Sequence, residues 1–308
     1  MKIHPGFIGI DVSKAFLDIF DGTLGATRIA NQAAAIRAFL DGLAGRDVFV
    51  TFEATGRLDL ALRSALAGAG IRFARVNPER ARSFARALGL LAKTDAVDAR
   101  MLALMGQKLE MRVDVPAEPG RQTLASLGRR RDQLVAMRQQ ERTRLHDGDD
   151  VWNASIARIL DSLGREIAAV ERAIRDLIRA EDGLRRAAAL LRGIPGLGPV
   201  CTATLLALMP EFGRIHPKAA AALAGLAPFN RDSGTCRGQR TIHGGRKRIR
   251  DALYMAANAA IRTPSPFKAF FQSLLDRGKA FKQAVVAVAR KLLTVANAVL
   301  RDETPYRA

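Results

Sequence analysis

The sequence predicts an α/β domain followed by two all-α segments, and three observations carry this prediction. Residues 1–115 alternate short apolar runs of strand character with helical segments, which is typical of an α/β domain. Residues 116–192 repeat leucine and isoleucine at helical spacing. Residues 193–308 combine an alanine- and leucine-rich helical pattern with a loop rich in glycine and arginine. We therefore expect three domains with these bounds.

The N-terminal strands and helices are predicted from apolar spacing and from turn residues. Two apolar runs separated by Ser13-Lys14 indicate a β-hairpin, and two later runs indicate buried strands: FIGIDV, AFLDIF, DVFVTFEAT and IRFARVNP. Asn31 is expected to begin the first helix, NQAAAIRAFLDGLAG, and a glycine to end it. Three more helices are expected in the segments RLDLALRSALAGAG, ERARSFARALG and KTDAVDARMLALMGQ.

The middle segment is expected to form two long antiparallel helices. HDGDD at 146–150 interrupts a series of apolar residues at helical spacing: Leu124, Leu127, Leu134, Ile156, Ile159, Leu163, Ile167, Val170, Ile174 and Leu177. Such a pair of helices fits a coiled coil that joins subunits, and it equally fits a pair that packs only within the chain. The sequence leaves these two interpretations open.

The last segment begins with GIPGLGP at 193–199, which resembles a helix-hairpin-helix turn. Gly196 and Gly198 would let backbone N–H groups approach a phosphate at the start of the following helix. A plain turn between two helices is the alternative interpretation. The motif therefore predicts a compact helical domain with a candidate phosphate contact.

The charge of the chain favours a polyanionic partner. Lys and Arg number 49 against 30 Asp and Glu, which gives a net charge of +19 and a pI near 11.1. Residues 193–308 carry 18 of the basic and 6 of the acidic side chains, a net charge of +12. One loop concentrates the candidate nucleic-acid ligands: Arg231, Arg237, Arg240, Arg246, Lys247, Arg248 and Arg250. A basic binding protein without chemistry would show the same charge.

Cysteine usage and hydropathy predict a soluble protein of a reducing compartment. Cys201 and Cys236 match no disulfide framework or zinc-ligand spacing. The N-terminus lacks the apolar run of a signal peptide, and no stretch of about 20 apolar residues predicts a membrane partner. The aromatic content of 6% also argues against a base-stacking platform of the kind found in single-strand-binding proteins.

Four acidic residues are candidates for one metal site. Asp11 and Glu53 end predicted strands, the usual position of functional residues in an α/β sheet, and Asp95 and Asp98 begin a predicted helix. Two carboxylates three residues apart on a helix raise the cost of ionising each other, and a bound cation would relieve this. Hard divalent cations prefer oxygen ligands of this kind. The alternative is that Asp95 caps the helix and Asp98 is the acid of its first turn.

A serine in the basic loop is a candidate nucleophile. Ser233 is followed by glycine and lies among the cations of the loop, where a phosphate-loaded and electropositive setting could activate a weak hydroxyl nucleophile. A serine in a loop is far more often an ordinary turn residue. None of the four histidines shows ligand or catalytic spacing, and His243 in TIHGG is the one worth mutating.

Several motifs together resemble the Piv/MooV-type DEDD transposases of bacterial insertion sequences, also described as bridge-RNA-guided recombinases. The resemblance covers nearly the whole chain in order and rests on four segments: FIGIDVSK, TFEATG, VNPERARSFARALGLLAKTDAVDAR, and IPGLGP with LAGLAPFNRDSGTCRGQRTIHGGRKRIRDALYMAA. It implies a ribonuclease H-like (RuvC-like) N-terminal domain, a coiled-coil segment, and a C-terminal transposase domain with a helix-hairpin-helix.

The resemblance also implies an activity and its residues. The four acids of the DEDD site would be Asp11, Glu53, Asp95 and Asp98, which would bind Mg²⁺ or Mn²⁺. Ser233 would attack a DNA phosphodiester, although this chain has Asp232 where relatives often have a second serine. The two parts would meet across subunits of a homo-oligomer assembled on a noncoding guide RNA, which would select donor and target DNA by base pairing.

We therefore expect a cytoplasmic, nucleoid-associated bacterial transposase that moves its own insertion element. The first alternative is a RuvC-like nuclease that hydrolyses DNA junctions with metal-activated water. The second alternative is a non-enzymatic helix-hairpin-helix protein that binds nucleic acid. GIDVSKAFLDI is also similar to the first phosphate loop of sugar kinases and actin-type ATPases, but the second Asp-Gly loop of those enzymes is not found in the sequence.

Overall fold

The structure is a computed structural model. It describes seven segments of the chain: 3–89, 95–114, 118–147, 152–229, 232–233, 236–237 and 240–307. Within them, only the backbone is described at 95–96, 146–147, 232–233 and 236–237. The chain divides into two compact units, Met1–Pro116 (unit 1) and Ala117–Ala308 (unit 2). The division into three domains stays a prediction.

Unit 1 is built on a five-stranded mixed sheet. Its strands are β1 (Phe7–Val12), β2 (Phe16–Asp21), β3 (Gly25–Ala30), β4 (Phe49–Glu53) and β5 (Arg72–Val76). The strand order is β3-β2-β1-β4-β5, in which β1 to β3 pair antiparallel and β1, β4 and β5 run parallel. The helices of unit 1 are α1 (Ala33–Asp41), α2 (Leu60–Gly68), α3 (Pro78–Ala87) and α4 (Asp95–Lys108). The α/β class expected for this part of the chain is confirmed.

The two faces of the sheet are covered by different helices. The side chains of Ile8 and Ile10 in β1 and of Phe52 in β4 join a buried core to which α1 and α2 contribute Ile36 and Leu62. Because successive side chains of a strand point to opposite faces, the residues between them face the other way, towards α4. The sheet therefore has an apolar face under α1 and α2 and a second face under α4, where the candidate acids lie.

Most elements of unit 1 follow the sequence, with two differences. The hairpin of β1 and β2 is confirmed, as are the strands β4 and β5. The strand β3 was not predicted, because GATRIA has no apolar alternation and none of its residues is buried. Asn31 does not cap the first helix: its side-chain amide donates hydrogen bonds to the backbone carbonyls of Ser13 and Leu58, and Gln32 occupies the cap position.

A buried ion pair fixes the end of β2. Asp21 is almost fully buried and accepts two hydrogen bonds from Arg46, at 2.8 and 3.0 Å, and one from the backbone N–H of Thr23 at 2.7 Å. Burial raises the pKa of the Asp21 carboxyl, but these hydrogen bonds together with the charge of Arg46 outweigh it and hold the pKa below its ordinary value of 3.8. The folded unit therefore favours the ionised carboxylate.

Acid is expected to weaken unit 1 through Asp21. Because the pKa of Asp21 is lower in the folded than in the unfolded chain, its stabilisation is complete above the unfolded pKa and is lost as the pH falls through the folded pKa. We expect Asp21→Asn to be less stable than the parent near neutral pH and to lose less stability in acid. Urea unfolding at several pH values, with hydrogen exchange of the β1–β2 hairpin as readout, measures this. Asp47→Asn, at an exposed carboxylate, is the matched control; equal pH slopes in parent and Asp21→Asn would contradict the prediction.

Unit 2 consists of helices and two short β-ladders. Its helices are α5 (Pro119–Asp147), α6 (Asn153–Ala180), α7 (Asp182–Arg192), α8 (Pro199–Leu208), α9 (Pro217–Leu223), α10 (Lys247–Ala260), α11 (Pro266–Asp276) and α12 (Phe281–Asp302). Its strands, of two residues each, are β6 (Pro228–Phe229), β7 (Asp232–Ser233), β8 (Cys236–Arg237) and β9 (Thr241–Ile242). The ladders pair β6 with β9 and β7 with β8, both antiparallel.

The long helices α5 and α6 form an antiparallel hairpin, as expected. Leu134 of α5 packs with Leu163 and Ile167 of α6. Arg131 of α5 donates a 2.7 Å hydrogen bond to Glu171 of α6. The earlier of these two α5 residues, Arg131, contacts the later part of α6, as antiparallel pairing requires. That this pair is a coiled coil stays a prediction.

The hairpin shares its core with the C-terminal helices. Leu124 of α5 and Ile174 of α6 belong to the same buried cluster as Leu205 of α8, Leu253 of α10 and Leu292 of α12. The base of the hairpin is therefore part of the packing of unit 2. The buried area that these helices remove from water supplies most of the driving force for folding this unit.

The helix α12 is the central core helix of unit 2. It is the one described helix that is long and apolar enough to cross a membrane, with a mean hydropathy of 1.4 over the most apolar part. Nine of its residues are buried, among them Val288 and Leu292. One of the nine is polar: Asn297 accepts a hydrogen bond from the backbone N–H of Gly213 and donates one to the carbonyl of Ile215. In this structure the apolar stripe of α12 is thus covered by protein.

Candidate active site

Asp11 and Glu53 lie on one face of the sheet at the same edge. In the parallel ladder between β1 and β4, Gly9 is the register partner of Thr51. Asp11 lies two residues after Gly9, and Glu53 lies two residues after Thr51, so all four point to the same face. Asp11 is the second-to-last residue of β1, and Glu53 is the last residue of β4. The parallel strands therefore bring both carboxylates to the carboxyl edge of the sheet, as the sequence predicted.

The helix α4 covers this face in close contact with the backbone of the sheet. A Cβ atom on Gly9 would overlap the carbonyl oxygen of Ala99 and the backbone nitrogen of Ala103, both in α4. A Cβ atom on Gly106 of α4 would likewise overlap the hydroxyl of Thr51 in β4. The two glycines are thus the reason that helix and sheet approach so closely. This packing fixes the position of α4 over the two acidic strands.

The helix α4 runs antiparallel to β1. Near its C-terminus, Gln107 accepts a 3.0 Å hydrogen bond from the backbone N–H of His4, which precedes β1. Further towards its N-terminus, Ala99 lies over Gly9 in the middle of β1. The same direction brings the first turn of the helix towards the carboxyl end of β1, where Asp11 lies.

That first turn carries the other two candidate acids. Asp98 immediately precedes Ala99, and its side chain is partly buried. Asp95 is the first residue of α4; its backbone is described and its side chain lies outside the described part. Two strands and one helix therefore direct the segments that bear all four predicted acids towards one edge of the sheet.

The donor set suits a hard divalent cation, although the described side chains do not form a closed site. Asp11, Glu53 and Asp98 offer carboxylate oxygens, the ligands that Mg²⁺ and Mn²⁺ prefer. Each of the three makes an interaction within the structure. Among the side chains that the structure describes, no three acidic, histidine or cysteine groups approach closely enough to hold a metal ion. The geometry thus supports a shared location for the described acids.

A fifth acid on the same face was missed by the sequence analysis. Asp18 of β2 is the register partner of Asp11 in the antiparallel ladder, and register partners share a face. It is buried and accepts a 2.8 Å hydrogen bond from Arg28 Nε, on the neighbouring strand β3. An aspartate inside the apolar run FLDIF was the signal that could have found it. The carboxylates of Asp11 and Asp18 repel each other across the ladder. The positive charge of Arg28 reduces this repulsion.

A second buried charge cluster supports the loop that follows Glu53. Asp59 is fully buried at the start of α2, and its Oδ2 accepts hydrogen bonds from Arg75 of β5 at 3.0 and 2.7 Å. Its Oδ1 and the Nε of Arg63 have no hydrogen-bond partner among the described residues. Burial lowers the pKa of the Arg63 guanidinium, and the nearby charge of Arg75 lowers it further. The backbone N–H of Ala54 also bonds the carbonyl of Val76, so β5 holds the loop at both ends.

The candidate nucleophile lies in a small β-hairpin of unit 2. Ser233 in β7 pairs with Cys236 in β8, and two residues, 234 and 235, separate them. Phe229 of β6 pairs with Thr241 of β9, and this second ladder flanks the hairpin in the sequence. The side chain of Ser233 lies outside the described part of the chain. Its role as the nucleophile therefore stays a prediction. The structure describes only its backbone, which lies in a β-hairpin.

Three of the predicted phosphate ligands make contacts within the protein. Arg246 donates to both carboxylate oxygens of Glu211, at 2.7 and 2.9 Å, and to the carbonyl of Leu208. The guanidinium of Arg248 lies 2.7 Å from the carboxylate of Asp132 in α5. Arg250 donates to the backbone carbonyl of Gly244 at 2.6 Å. Their binding to nucleic acid stays a prediction, and it would require them to share or leave these partners.

The other basic candidates differ in exposure. Arg240 is exposed, as is Lys247, whose ammonium lies 2.5 Å from the carboxylate of Asp251 one turn along α10. Arg231 and the side chain of Arg237 lie outside the described part. Of the described candidates, Arg240 and Lys247 are thus the two that present their charge to solvent.

Replacing Arg246 by alanine is expected to destabilise unit 2. The change leaves the carboxylate of Glu211 and the carbonyl of Leu208 without their donor, and hydrogen bonds to charged groups contribute about 1.5–3 kcal/mol each. We expect a loss of about 2–3 kcal/mol in the free energy of unfolding, because the arginine is about one third exposed. Thermal unfolding of the full chain measures it. Lys247→Ala removes the exposed neighbour and should cost about 0.5 kcal/mol or less; equal losses in the two variants would contradict a structural role for Arg246.

The two glycines of the predicted helix-hairpin-helix turn have different surroundings. Gly196 has a φ of +89°, and a Cβ there would overlap the carbonyl of Ala256 and the side chain of Ala260 in α10. Gly198 is exposed, precedes α8, and has open space where a side chain would be. Gly196 is therefore required for packing against α10, whereas Gly198 has no such contact. The N–H of Gly198 donates to the carbonyl of Gly196, and α8 begins with Pro199, which has no N–H. Phosphate binding here stays a prediction.

Comparison with known proteins identifies the family to which the chain belongs. Residues 8–147 match the family model of IS110-type DEDD transposases, described as Transposase, and residues 188–272 match the Transposase IS116/IS110/IS902 family. A pilin gene-inverting protein of Moraxella lacunata is 31% identical over 247 residues, which cover 75% of this chain and 73% of that protein. The chain belongs to the IS116/IS110/IS902 transposase family. The resemblance found in the sequence is thereby confirmed.

Two other relatives of this transposase differ in how much of their length is similar. A pilin gene-inverting protein of Moraxella bovis has the same identity and coverage as the Moraxella lacunata protein. The insertion element IS110 uncharacterized 43.6 kDa protein of Streptomyces coelicolor is 31% identical over 162 residues, which cover 52% of this chain and 39% of that protein. The similarity therefore extends to both gene-inverting and insertion-element proteins.

Family membership establishes the class of activity. The transposase is an enzyme of DNA recombination that belongs to an insertion element, and DNA is its partner. This replaces the alternatives of a junction nuclease and of a non-enzymatic binding protein. The DEDD family implies a divalent metal ion, which fits the carboxylate donors at the carboxyl edge of the sheet. Transposases of this family are typically soluble and cytoplasmic, and nucleoid association stays a prediction.

Proposed function

We propose that this transposase cuts and rejoins DNA by combining a metal site in unit 1 with a serine nucleophile in unit 2. The observation that carries the proposal is the convergence of β1, β4 and the first turn of α4, which bear the four acids, at one edge of the sheet. The strand order β3-β2-β1-β4-β5 supports a ribonuclease H-like, RuvC-like unit. The same sheet edge is where functional groups of α/β proteins usually gather.

The acids of unit 1 would hold the divalent ion. Asp11, Glu53, Asp95 and Asp98 are its proposed ligands. When bound, Mg²⁺ or Mn²⁺ would supply charge stabilisation at the phosphoryl oxygens of DNA. Arg28 would remain paired with Asp18. Its positive charge would offset the negative charge of this fifth acid and so reduce the repulsion that the ionised metal ligands experience. The close contact of Gly9 with α4 would keep Asp98 at its place over β1.

Ser233 would carry the covalent step. Its oxygen forms a bond to the phosphorus of a DNA phosphodiester while the bond from phosphorus to the leaving strand breaks. Overall, the hydroxyl proton of the serine is transferred to the oxygen of the leaving strand, so that a free hydroxyl end and a phosphoserine link result. Rejoining is the reverse reaction with a hydroxyl end of another strand. The antiparallel pairing of β7 with β8 supports this role, because a two-stranded β-ribbon can enter a DNA groove.

The remaining parts of unit 2 would assemble and guide the complex. The net charge of +12 over residues 193–308 supports binding to nucleic acid, and a noncoding guide RNA is the proposed source of sequence choice. The hairpin of α5 and α6, with helices of 29 and 28 residues, supports a coiled coil that joins subunits of a dimer or tetramer. The turn before α8 is the proposed helix-hairpin-helix contact, through the exposed Gly198.

A covalent trapping experiment tests this function. Purified protein is incubated with supercoiled DNA that carries the element ends, the RNA of the element and Mg²⁺, and is then denatured. We expect protein covalently attached to DNA, and we expect Ser233→Ala to lose the attachment while it retains DNA binding. Ser273→Ala, at a serine on α11, is the matched control and should attach normally. Free DNA ends without attachment, formed equally by Ser233→Ala, would contradict the serine mechanism and indicate hydrolysis.

The exposed cations should set the salt dependence of DNA binding. Each phosphate contact that is lost lowers the slope of log affinity against log salt concentration by about 1. We expect this change in Arg240→Ala and in Lys247→Ala, because both side chains face solvent in the basic loop and at the start of α10. Titration at several salt concentrations measures the slope. Lys279→Ala, an exposed lysine between α11 and α12, should leave it unchanged, and the same slope in all four proteins would mean that neither cation meets a phosphate.

A further inference from the structure

An aromatic pair stands exposed at the β6–β9 ladder, which flanks the serine hairpin in the sequence. The rings of Phe229 and His243 are stacked, with centroids 4.2 Å apart and an angle of 25° between their planes. Phe229 is 42% exposed and His243 is exposed as well. A large apolar ring at the surface is unremarkable alone, but a parallel pair presents a flat face of definite orientation. Neither residue belongs to the metal site or contributes the nucleophile.

The pair is held in place from both sides. Phe229 pairs with Thr241 in the ladder of β6 and β9, and the adjacent Ile242 packs against the core of unit 2. After His243 the chain turns through Gly244, whose carbonyl accepts a 2.6 Å hydrogen bond from Arg250. The stack is therefore a built surface feature, fixed by backbone pairing on one side and by an anchored turn on the other.

The surroundings of the stack fit a nucleic-acid base better than an apolar protein partner. Arg240 is exposed one residue before the ladder, and Lys247 is exposed at the start of α10. No acidic residue occurs in the sequence between Arg240 and Asp251. A flat aromatic face that is flanked in the sequence by exposed cations matches the two parts of a nucleotide, because the base stacks and the phosphate pairs with the cations. Two rings offer too little apolar area for a protein interface of the usual size.

We infer that Phe229 and His243 bind an unpaired base of the DNA strand that Ser233 cuts. This inference rests on the proposed function, because Phe229 lies only four residues before Ser233 in the sequence. Four residues of chain can span at most about 14 Å, so the backbone of Ser233 lies no further than this from that of Phe229. The stack would hold one base out of the duplex and so fix the position of the phosphate presented to the serine. The low aromatic content agrees with a single stacking position.

A fluorescence binding experiment tests the inference. The full chain carries Ser233→Ala, so that binding is measured without DNA cleavage. It is titrated with a single-stranded oligothymidylate that carries one 2-aminopurine. A duplex of the same length and an oligouridylate serve as parallel probes. Because stacking on an aromatic side chain contributes about 1–3 kcal/mol per base, we expect Phe229→Ala and His243→Ala to weaken single-strand binding about 10-fold or more. Both variants should also lose the quenching of 2-aminopurine.

Two further variants separate stacking from folding. Phe229→Tyr and His243→Phe keep a flat ring and should bind single strands normally, whereas Trp152→Ala removes a ring that is 51% exposed elsewhere in unit 2 and should have no effect. Equal weakening on single strand and duplex, or a larger effect on oligouridylate than on oligothymidylate, would overturn the inference. Normal binding by Phe229→Ala would also overturn it. The covalent trapping experiment reports on Ser233 alone, so a failure there is distinguished from a failure here.

Discussion

Gly9→Ala is expected to be among the most damaging single changes in unit 1. A methyl group at this position would overlap the carbonyl oxygen of Ala99 and the backbone nitrogen of Ala103, and both obstructing atoms belong to the backbone of α4. A flexible side chain could move away, but a helix backbone cannot without shifting the whole element. Overpacking costs about 1–3 kcal/mol when side chains can adjust, and we expect the upper end of this range or more.

The same change should impair DNA cleavage beyond its effect on stability. When α4 is pushed away from β1, Asp98 moves with it, and the acids of the proposed metal site separate. Urea unfolding measures the stability, and covalent trapping at a temperature where the variant remains folded measures the activity. Gly68→Ala is the matched control, because Gly68 ends α2 in open space and alanine favours a helix. A Gly9→Ala protein with normal stability and normal cleavage would show that α4 does not need this close approach.

The strands of the sheet could be predicted from the sequence wherever they are buried. β1, β2, β4 and β5 contain apolar runs because at least one of their faces is packed against helices. β3 is an edge strand without a buried residue, so burial imposes no apolar pattern on it. Asn31 shows a related difficulty. An asparagine before a helical pattern is a common cap, but here its side chain is used to bond two distant carbonyls, which no local pattern reveals.

The candidate site was predictable to the extent that it depends on strand ends. Asp11 and Glu53 follow apolar runs, and parallel strands bring such residues to one edge. Asp18 was missed because its partner relation to Asp11 depends on the register of the hairpin, which the sequence alone did not fix. The roles of Arg246 and Arg248 were equally hidden, since their partners Glu211 and Asp132 lie far away in sequence. Density of positive charge predicts a binding surface, but it does not distinguish cations that hold the fold together.

Asp11→Asn is expected to abolish DNA cleavage while the fold is preserved. The amide has the shape of the carboxylate, but it lacks the charge with which the proposed site would hold a divalent ion. Metal ions contribute several kcal/mol of charge stabilisation to phosphoryl transfer, and each 1.36 kcal/mol corresponds to a tenfold change in rate. We therefore expect about a 1,000-fold loss or more in the rate of covalent attachment to DNA.

Stability should respond differently from activity in this variant. Asp11 faces the carboxylate of Asp18 across the ladder, and the loss of one of two like charges relieves a repulsion of about 0.2–1 kcal/mol. We expect the free energy of unfolding to change by less than about 1 kcal/mol, and DNA binding to persist because the cations of unit 2 are untouched. Asp41→Asn, at an exposed carboxylate at the end of α1, should retain both activity and stability. If Asp11→Asn loses activity only in proportion to a loss of folded protein, Asp11 is structural and the metal site has to be sought elsewhere.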